Sequence, residues 1–235
     1  MNMRPYVTKE IDSLPGPVRA LATRLGCGTD NGETSVRFSQ AGRMRSDARG
    51  VWTKYRATQT IALDSCSFCW TAQTGPFGSV RIIDALDCGT GRLEVTALGF
   101  LHLVRMPASD ELDRAELMRY LAEVIWAPQA MVRNPHLHWA VLNENCFAVT
   151  AGKPGRTATV TIELNEDGRV ASVTAPDRPM YTKSGYCPRL WFGRASDYRR
   201  HAGYWLPFRA EVGWQIEGER VVLWEGSLLD WAPVA

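Results

Sequence analysis

Arg119 and Glu123 stand four residues apart in ELMRYLAEVIWAPQAM, residues 116 to 131. That spacing puts a guanidinium and a carboxylate on one side of a helix, where they can pair. Two readings stand. On a solvated face the pair contributes a few tenths of a kcal/mol. At the mouth of a cavity, beside Trp126, burial would raise the Glu123 carboxyl and let it hold a proton for general acid or base work. A second group of reactive types lies in PDRPMYTKSGYCPRLWFGRASDYRRHAG, residues 176 to 203, where Asp177, Arg178, Trp191, Arg194, Asp197 and Tyr198 bring charges, indole and phenol close in sequence. Asp177, Arg178 and Pro179 could tie that segment down through charge-assisted hydrogen bonds. Alternatively, Arg178 or Arg194 could hold a carboxylate or phenolate head while an apolar pocket takes the rest of a ligand.

Other reactive types are less specific. Cys66 and Cys69 have the spacing of half a zinc site or of a dithiol pair, but no second such pair follows, and they sit at a strand start. His136 and His138 would face one side of a strand, yet the sequence places no third ligand near them, so loop histidines are the expectation and no metal site is assigned. The chain contains no nucleophile elbow, Walker loop or dinucleotide fingerprint. No cofactor is therefore expected.

The elements that must position these residues are mostly strands. Ala158, Val160, Ile162 and Leu164 alternate with Thr157, Thr159, Thr161 and Glu163, and Asp167-Gly168 then reverses the chain. Phe208, Ala210, Val212, Trp214 and Ile216 form another face, with Glu217-Gly218-Glu219 turning into a strand that carries Val222 and Trp224. Further joints are read at 64–67, 87–91 and 143–145, giving about ten or eleven strands in consecutive antiparallel order. A sheet that long must curl, because twist accumulates and open edges invite association. Two helices interrupt it. One starts at Pro17 and stops at Gly26. The other spans 113–126, with Asp113 and Glu116 as a capping box, Leu117, Leu121, Val124 and Ile125 as its apolar stripe, and Pro128 limiting its continuation.

Composition narrows the partners. With 27 Lys and Arg against 25 Asp and Glu, the formal net charge of +2 advertises neither nucleic acid nor an anionic membrane surface. No run approaches the ~18–20 apolar residues that span a bilayer, and the first 26 residues lack the apolar core of a secretory signal. A cytoplasmic protein with six reduced cysteines is expected. Nine tryptophans either fill a large interior or line its pocket.

The ordered segments LPGPVRAL (14–21), QAGRMR (40–45), RYLAEVIWAPQAM (119–131), APDRP (175–179) and WFGRASDYRRHAGYWLPFRAEVGW (191–214) resemble a bacterial, actinobacteria-rich domain family of unknown function. The likeness runs from about residue 14 to 230. It departs at Cys66-Ser67-Phe68-Cys69, where the family pattern has a Pro-Gly-Phe-type turn. In overall pattern the family is similar to lipoprotein-carrier half barrels, whose helix-covered concave side accepts acyl chains. The resemblance thus implies a fold but no assigned activity.

Taken together, the expectation is an α+β protein: one domain over 1–235, with a helical segment over 1–26, a strongly curved antiparallel half barrel over 34–230, an inserted helix over 113–126 and a long loop over 176–203. Its expected partner is a hydrophobic small molecule, contacted by Arg119, Trp126, Arg178, Trp191 and Arg194. The alternative is an enzyme without organic cofactor, a cyclase, isomerase or lyase. Glu123 would then be its acid or base, with Asp197 or Tyr198 orienting.

Overall fold

The computed structural model describes residues 11–28 and 32–235. The first ten residues of the expected amino-terminal helical segment lie outside the described residues. Two helices dominate the helical content: α1 (Gly16–Leu25), with Pro17 in its first turn and Gly26 closing it at φ 104°, and α2 (Asp110–Glu123). A short α3 (Ala130–Arg133) follows.

Among the described residues thirteen strands form one antiparallel sheet. The first six, β1 (Ser35–Met44), β2 (Thr53–Ala62), β3 (Phe68–Thr74), β4 (Val80–Asp87), β5 (Thr90–Ala97) and β6 (Leu101–Arg105), run outward as a meander. The remaining seven, β7 (His138–Asn143), β8 (Cys146–Lys153), β9 (Arg156–Leu164), β10 (Val170–Thr182), β11 (Gly185–His201), β12 (Tyr204–Ile216) and β13 (Glu219–Val234), run back from the other edge until β13 pairs with β1. Tight turns make these reversals possible. Gly168 lies at φ 67° between β9 and β10, and Glu217-Gly218, both at positive φ, joins β12 to β13.

The α2–α3 segment must carry the chain from one sheet edge to the other, and this explains the curvature. Strands β5 and β8 are ten strand spacings apart in the sheet order, ~48 Å along a flat sheet, yet both touch α2. With 14 residues, α2 is only ~21 Å long. The sheet therefore wraps around it, leaving α2 on the concave side. Alternation supplies the inner wall: Ala158, Val160 and Ile162 are fully buried, as are Phe147 and Val149 on the neighbouring strand. Burial surrounds the helix, with Leu112, Met118, Tyr120, Leu121 and Ala122 all inside. At about 1.5–3 kcal/mol per fully buried large apolar side chain, this packing holds the helix in place.

Three expectations need correction. The strands number thirteen. The helix begins three residues earlier than expected and ends at Glu123: Ser109 caps it by accepting from the Leu112 N–H at 3.1 Å, whereas Asp113 accepts from the Gly91 N–H at 2.7 Å and so ties the first turn to β5. Residues 176–203, expected to be a loop, are most of the hairpin of β10 and β11 and the turn into β12. Two features hid it. Between Ala175 and Arg178 the register slips, because Pro176 and Asp177 together oppose one residue of β11, which breaks the period of two. Beyond the slip, Pro179 faces Pro188 where neither strand pairs on its other side, so two residues without N–H groups cost the ladder nothing.

Candidate functional site

A cavity of about 500 Å³ lies between α2 and the concave face of the sheet. Its walls are largely apolar: Ile82 and Leu93 from one half of the sheet, Val173, Trp191, Val212 and Trp214 from the other, and Ala115, Ala122 and Ile125 from the helix side. At one part of the wall five charged side chains meet. Asp84 comes from β4, Glu116, Arg119 and Glu123 from α2, and Arg178 from β10.

Arg119 is satisfied twice. Its Nη1 donates to Asp84 Oδ2 and its Nε to Glu123 Oε1 at 2.9 Å, and its guanidinium lies over Phe68 and Trp70, 4.9 and 5.3 Å from their centroids. Burial opposes its charge, but Glu123 and Asp84 outweigh that and raise its pKa. Glu123 also accepts from Gln59 Nε2. The Arg119–Glu123 pair is therefore no solvated surface pair, since both side chains are mostly withdrawn from water.

The carboxyl that burial drives upward most plainly is Glu116, two helical turns before Glu123. Desolvation first, then the Asp84 carboxylate, push it well above the usual carboxylate range, against the pull of Arg178. Asp84 Oδ1 and Glu116 Oε2 are both buried without a conventional donor, and a proton held on Glu116 and donated to Asp84 would satisfy the pair. With that proton in place, two carboxylates balance two guanidinium groups and the buried cluster is neutral. This has a testable consequence for stability. Glu116 has a higher pKa folded than unfolded, so the stability its proton contributes is complete at acid pH and is lost as pH rises through the raised value. Glu116→Gln keeps a donor for Asp84 and cannot ionise. Its melting temperature should gain on that of the native protein as pH rises, by about 2–4 °C per kcal/mol relieved. A difference that stays constant from pH ~5 to ~9 would contradict the assignment.

Arg178 is built differently. The slip at Pro176 and Asp177 shifts the phase of β10, and Arg178 turns inward three residues after the inward-facing Ala175. Arg114 of α2 clamps the slip, donating to the Asp177 carbonyl at 2.9 Å and to its carboxylate. Asp177 does tie this segment down, but to the helix. The Arg178 guanidinium stacks on Trp191 at 4.7 Å and Trp214 at 5.5 Å. Burial lowers its pKa, yet a guanidinium remains charged.

The other candidates divide. Trp126 lines the cavity and donates from Nε1 to the Pro207 carbonyl at 3.0 Å. Arg194 stands at the rim, half exposed, and donates to Glu211 at 2.8 Å. Asp197 and Tyr198 are not brought to the cavity. Asp197, at φ 55°, interrupts the alternation that puts Trp191, Gly193 and Ala195 on the wall, and its carboxylate pairs outside with Arg199 at 2.7 Å. Tyr198 packs on the core and donates to the Val170 carbonyl at 3.0 Å, with burial raising its phenol. Among the thiols, burial pushes Cys66 up to about 11, which leaves it inert, whereas Cys69 faces outward between the buried Phe68 and Trp70. His136 sits in the turn before β7 and His138 opens that strand.

Asp84, Glu116 and Gln59 escaped sequence reasoning as site residues, although Asp84 and Gln59 carry a signal. Asp84 falls in phase between Ile82 and Leu86, and Gln59 between Ala57 and Ile61. A polar residue at an inward position of an apolar alternation must find a buried partner.

The fold and cavity define the class: a curled antiparallel half barrel with a helix inside its concavity. In sequence, the chain belongs to DUF6544, a family of unknown function, matching it over residues 5–226. Among solved structures it is similar to a LolA superfamily protein from Nitrosomonas europaea, at 12% identity and TM-score 0.50 over 93% of each chain. It is likewise similar to a DUF1329 family protein from Desulfovibrio piger, at 10% identity and TM-score 0.50 over 93% of this chain and 94% of that one. No curated protein matches it in sequence. The likeness to the LolA superfamily agrees with the carrier-type half barrel that the sequence resembles, and at these identities it concerns the fold alone.

Proposed function

We propose that this protein binds or carries a hydrophobic small molecule or lipid in the cavity between α2 and the sheet. The observation that carries this reading is the cavity itself. At about 500 Å³ it falls within the ~300–1,000 Å³ of small-molecule sites, and apolar side chains form most of its wall. Protein interiors ordinarily close such spaces, because a void forfeits packing. A guest would restore that packing and remove apolar surface from water at about 25 cal/mol per Å².

A second reading, acid/base catalysis on an apolar metabolite, is favoured by one feature: the carboxyl pair Asp84 and Glu116, with its shared proton, sits on the cavity wall beside Arg178. Glu123, the acid or base expected from sequence, is already tied to Arg119 and Gln59. Carriage needs no such chemistry and is the reading preferred here. A cytoplasmic setting, with the six cysteines as free thiols, is part of the proposal. No helix among the described residues is long and apolar enough to cross a membrane.

Native mass spectrometry of the protein purified from its host, followed by solvent extraction, tests this reading. The expected result is a mass above that of the chain, with an apolar or amphiphilic compound in the extract. A bare chain mass and an empty extract, together with no uptake of added amphiphiles, would overturn it.

A further inference from the structure

The two arginines on the cavity wall differ in a way that bears on the guest. Arg119 is satisfied by Asp84 and Glu123, whereas Arg178 Nε, buried, has no hydrogen-bond partner. The single ion-pair contact of Arg178 among the described residues is Glu116 Oε1, 4.0 Å from Nη2, at the outer limit of such a contact. Arg178 is 9% exposed, so most of its side chain is withdrawn from water. A buried donor left unpaired on a charged group loses its hydration without compensation. The residue is nonetheless placed with care: a register slip turns it inward, Arg114 pins the slip, and two indoles cover its guanidinium. With Trp191 and Trp214 packed on the guanidinium and Nε shut away from the cavity, the Nη groups are what remains to meet a ligand.

We propose that Arg178 receives the carboxylate head of an amphiphile whose apolar body fills the cavity, so that the guest is a long-chain or polycyclic carboxylic acid. This rests on the reading of the cavity as a binding site. A planar carboxylate matches the guanidinium edge with two parallel hydrogen bonds. The neighbouring charges set the class. Asp84 and Glu123 are anionic on this wall and Glu116 holds a proton, so a singly charged head is tolerated and a doubly charged phosphate is repelled more strongly. Neutral alcohols could fill the same space but would offer the Arg178 N–H groups a weaker acceptor than a carboxylate does.

Quenching of tryptophan fluorescence by brominated probes tests this on the full chain, because Trp70, Trp126, Trp191, Trp214 and Trp224 all line the cavity. The probes are ω-bromododecanoate, ω-bromododecanol and ω-bromododecyl phosphate. The expected result is that the carboxylate binds at least about tenfold tighter than the alcohol. Arg178→Gln should bring that ratio to about one, with melting temperature used to confirm that the variant folds. If it does not fold, Arg178→Lys decides, since lysine keeps the charge and loses the planar fork: a lower ratio supports the proposal and an unchanged one overturns it. Equal binding of carboxylate and alcohol by the native protein, a preference that survives Arg178→Gln, or tighter binding of the phosphate would each overturn the carboxylate assignment while leaving the cavity a binding site. Failure of all three probes to quench would remove both.

Discussion

Arg119→Met should destabilise the folded chain by about 3–5 kcal/mol, the largest loss expected of any single charge substitution on this wall. The reason lies in what the substitution strands. Asp84 and Glu123 both accept from one guanidinium, and both side chains are mostly buried. Removing the cation leaves two carboxylates facing each other in a poorly hydrated site, with Glu116 adjacent. Methionine keeps much of the stem that packs on Phe68 and Trp70, so the loss reports charge more than volume. Urea unfolding measures it directly. A companion variant separates charge from packing: Arg119→Met combined with Asp84→Asn and Glu123→Gln should recover most of the loss, because neutralising all partners of a buried pair is far less costly than removing one. If the triple variant is no more stable than the single one, the loss comes from packing, and the account of this cluster fails.

The second large effect concerns the space itself. Ala210 of β12 lines the cavity wall and is only partly buried. Ala210→Trp places an indole where a guest would lie, and binding of an acyl probe should weaken by about tenfold or more, equivalent to ~1.4 kcal/mol. Because the ring fills existing space, the melting temperature should hold or rise. Unchanged probe affinity in a folded Ala210→Trp variant would show that the guest sits elsewhere.

Much of this architecture was legible from period and turn chemistry. The run from Ala158 to Leu164, the Asp167-Gly168 reversal and the face from Phe208 to Trp214 read correctly because each residue faces one way and each turn contains the glycine it needs. The helix was legible from its apolar content, but its start was not: Ser109 and Asp113 both suit a cap, and the choice depends on the Gly91 N–H of β5 donating to Asp113. The β10–β11 hairpin was illegible for a physical reason. A one-residue slip reverses which residues face in, and three prolines removed the signal of a paired ladder. The same slip turns Arg178 inward, so the feature that hid the hairpin also built the site.

Site residues followed that division. Arg119, Glu123, Trp126, Arg178 and Trp191 lie on the cavity wall, where helix spacing and aromatic clustering bring them together, and Arg194 reaches only the rim. Asp197 and Tyr198, adjacent in sequence to cavity residues, were separated from them by one backbone at φ 55°. Asp84 and Glu116 come from elements 32 residues apart and meet only when the sheet closes on the helix. No local pattern predicts that meeting, although the in-phase position of Asp84 on an apolar strand marks it as needing a partner.

Anomalous diffraction from crystals soaked with ω-bromododecanoate tests the central claim most directly. A bromine peak is expected inside the concavity, between α2 and the Trp191–Trp214 wall. Bromine confined to the convex surface, or absent from crystals of a protein that takes up the probe in solution, would contradict it.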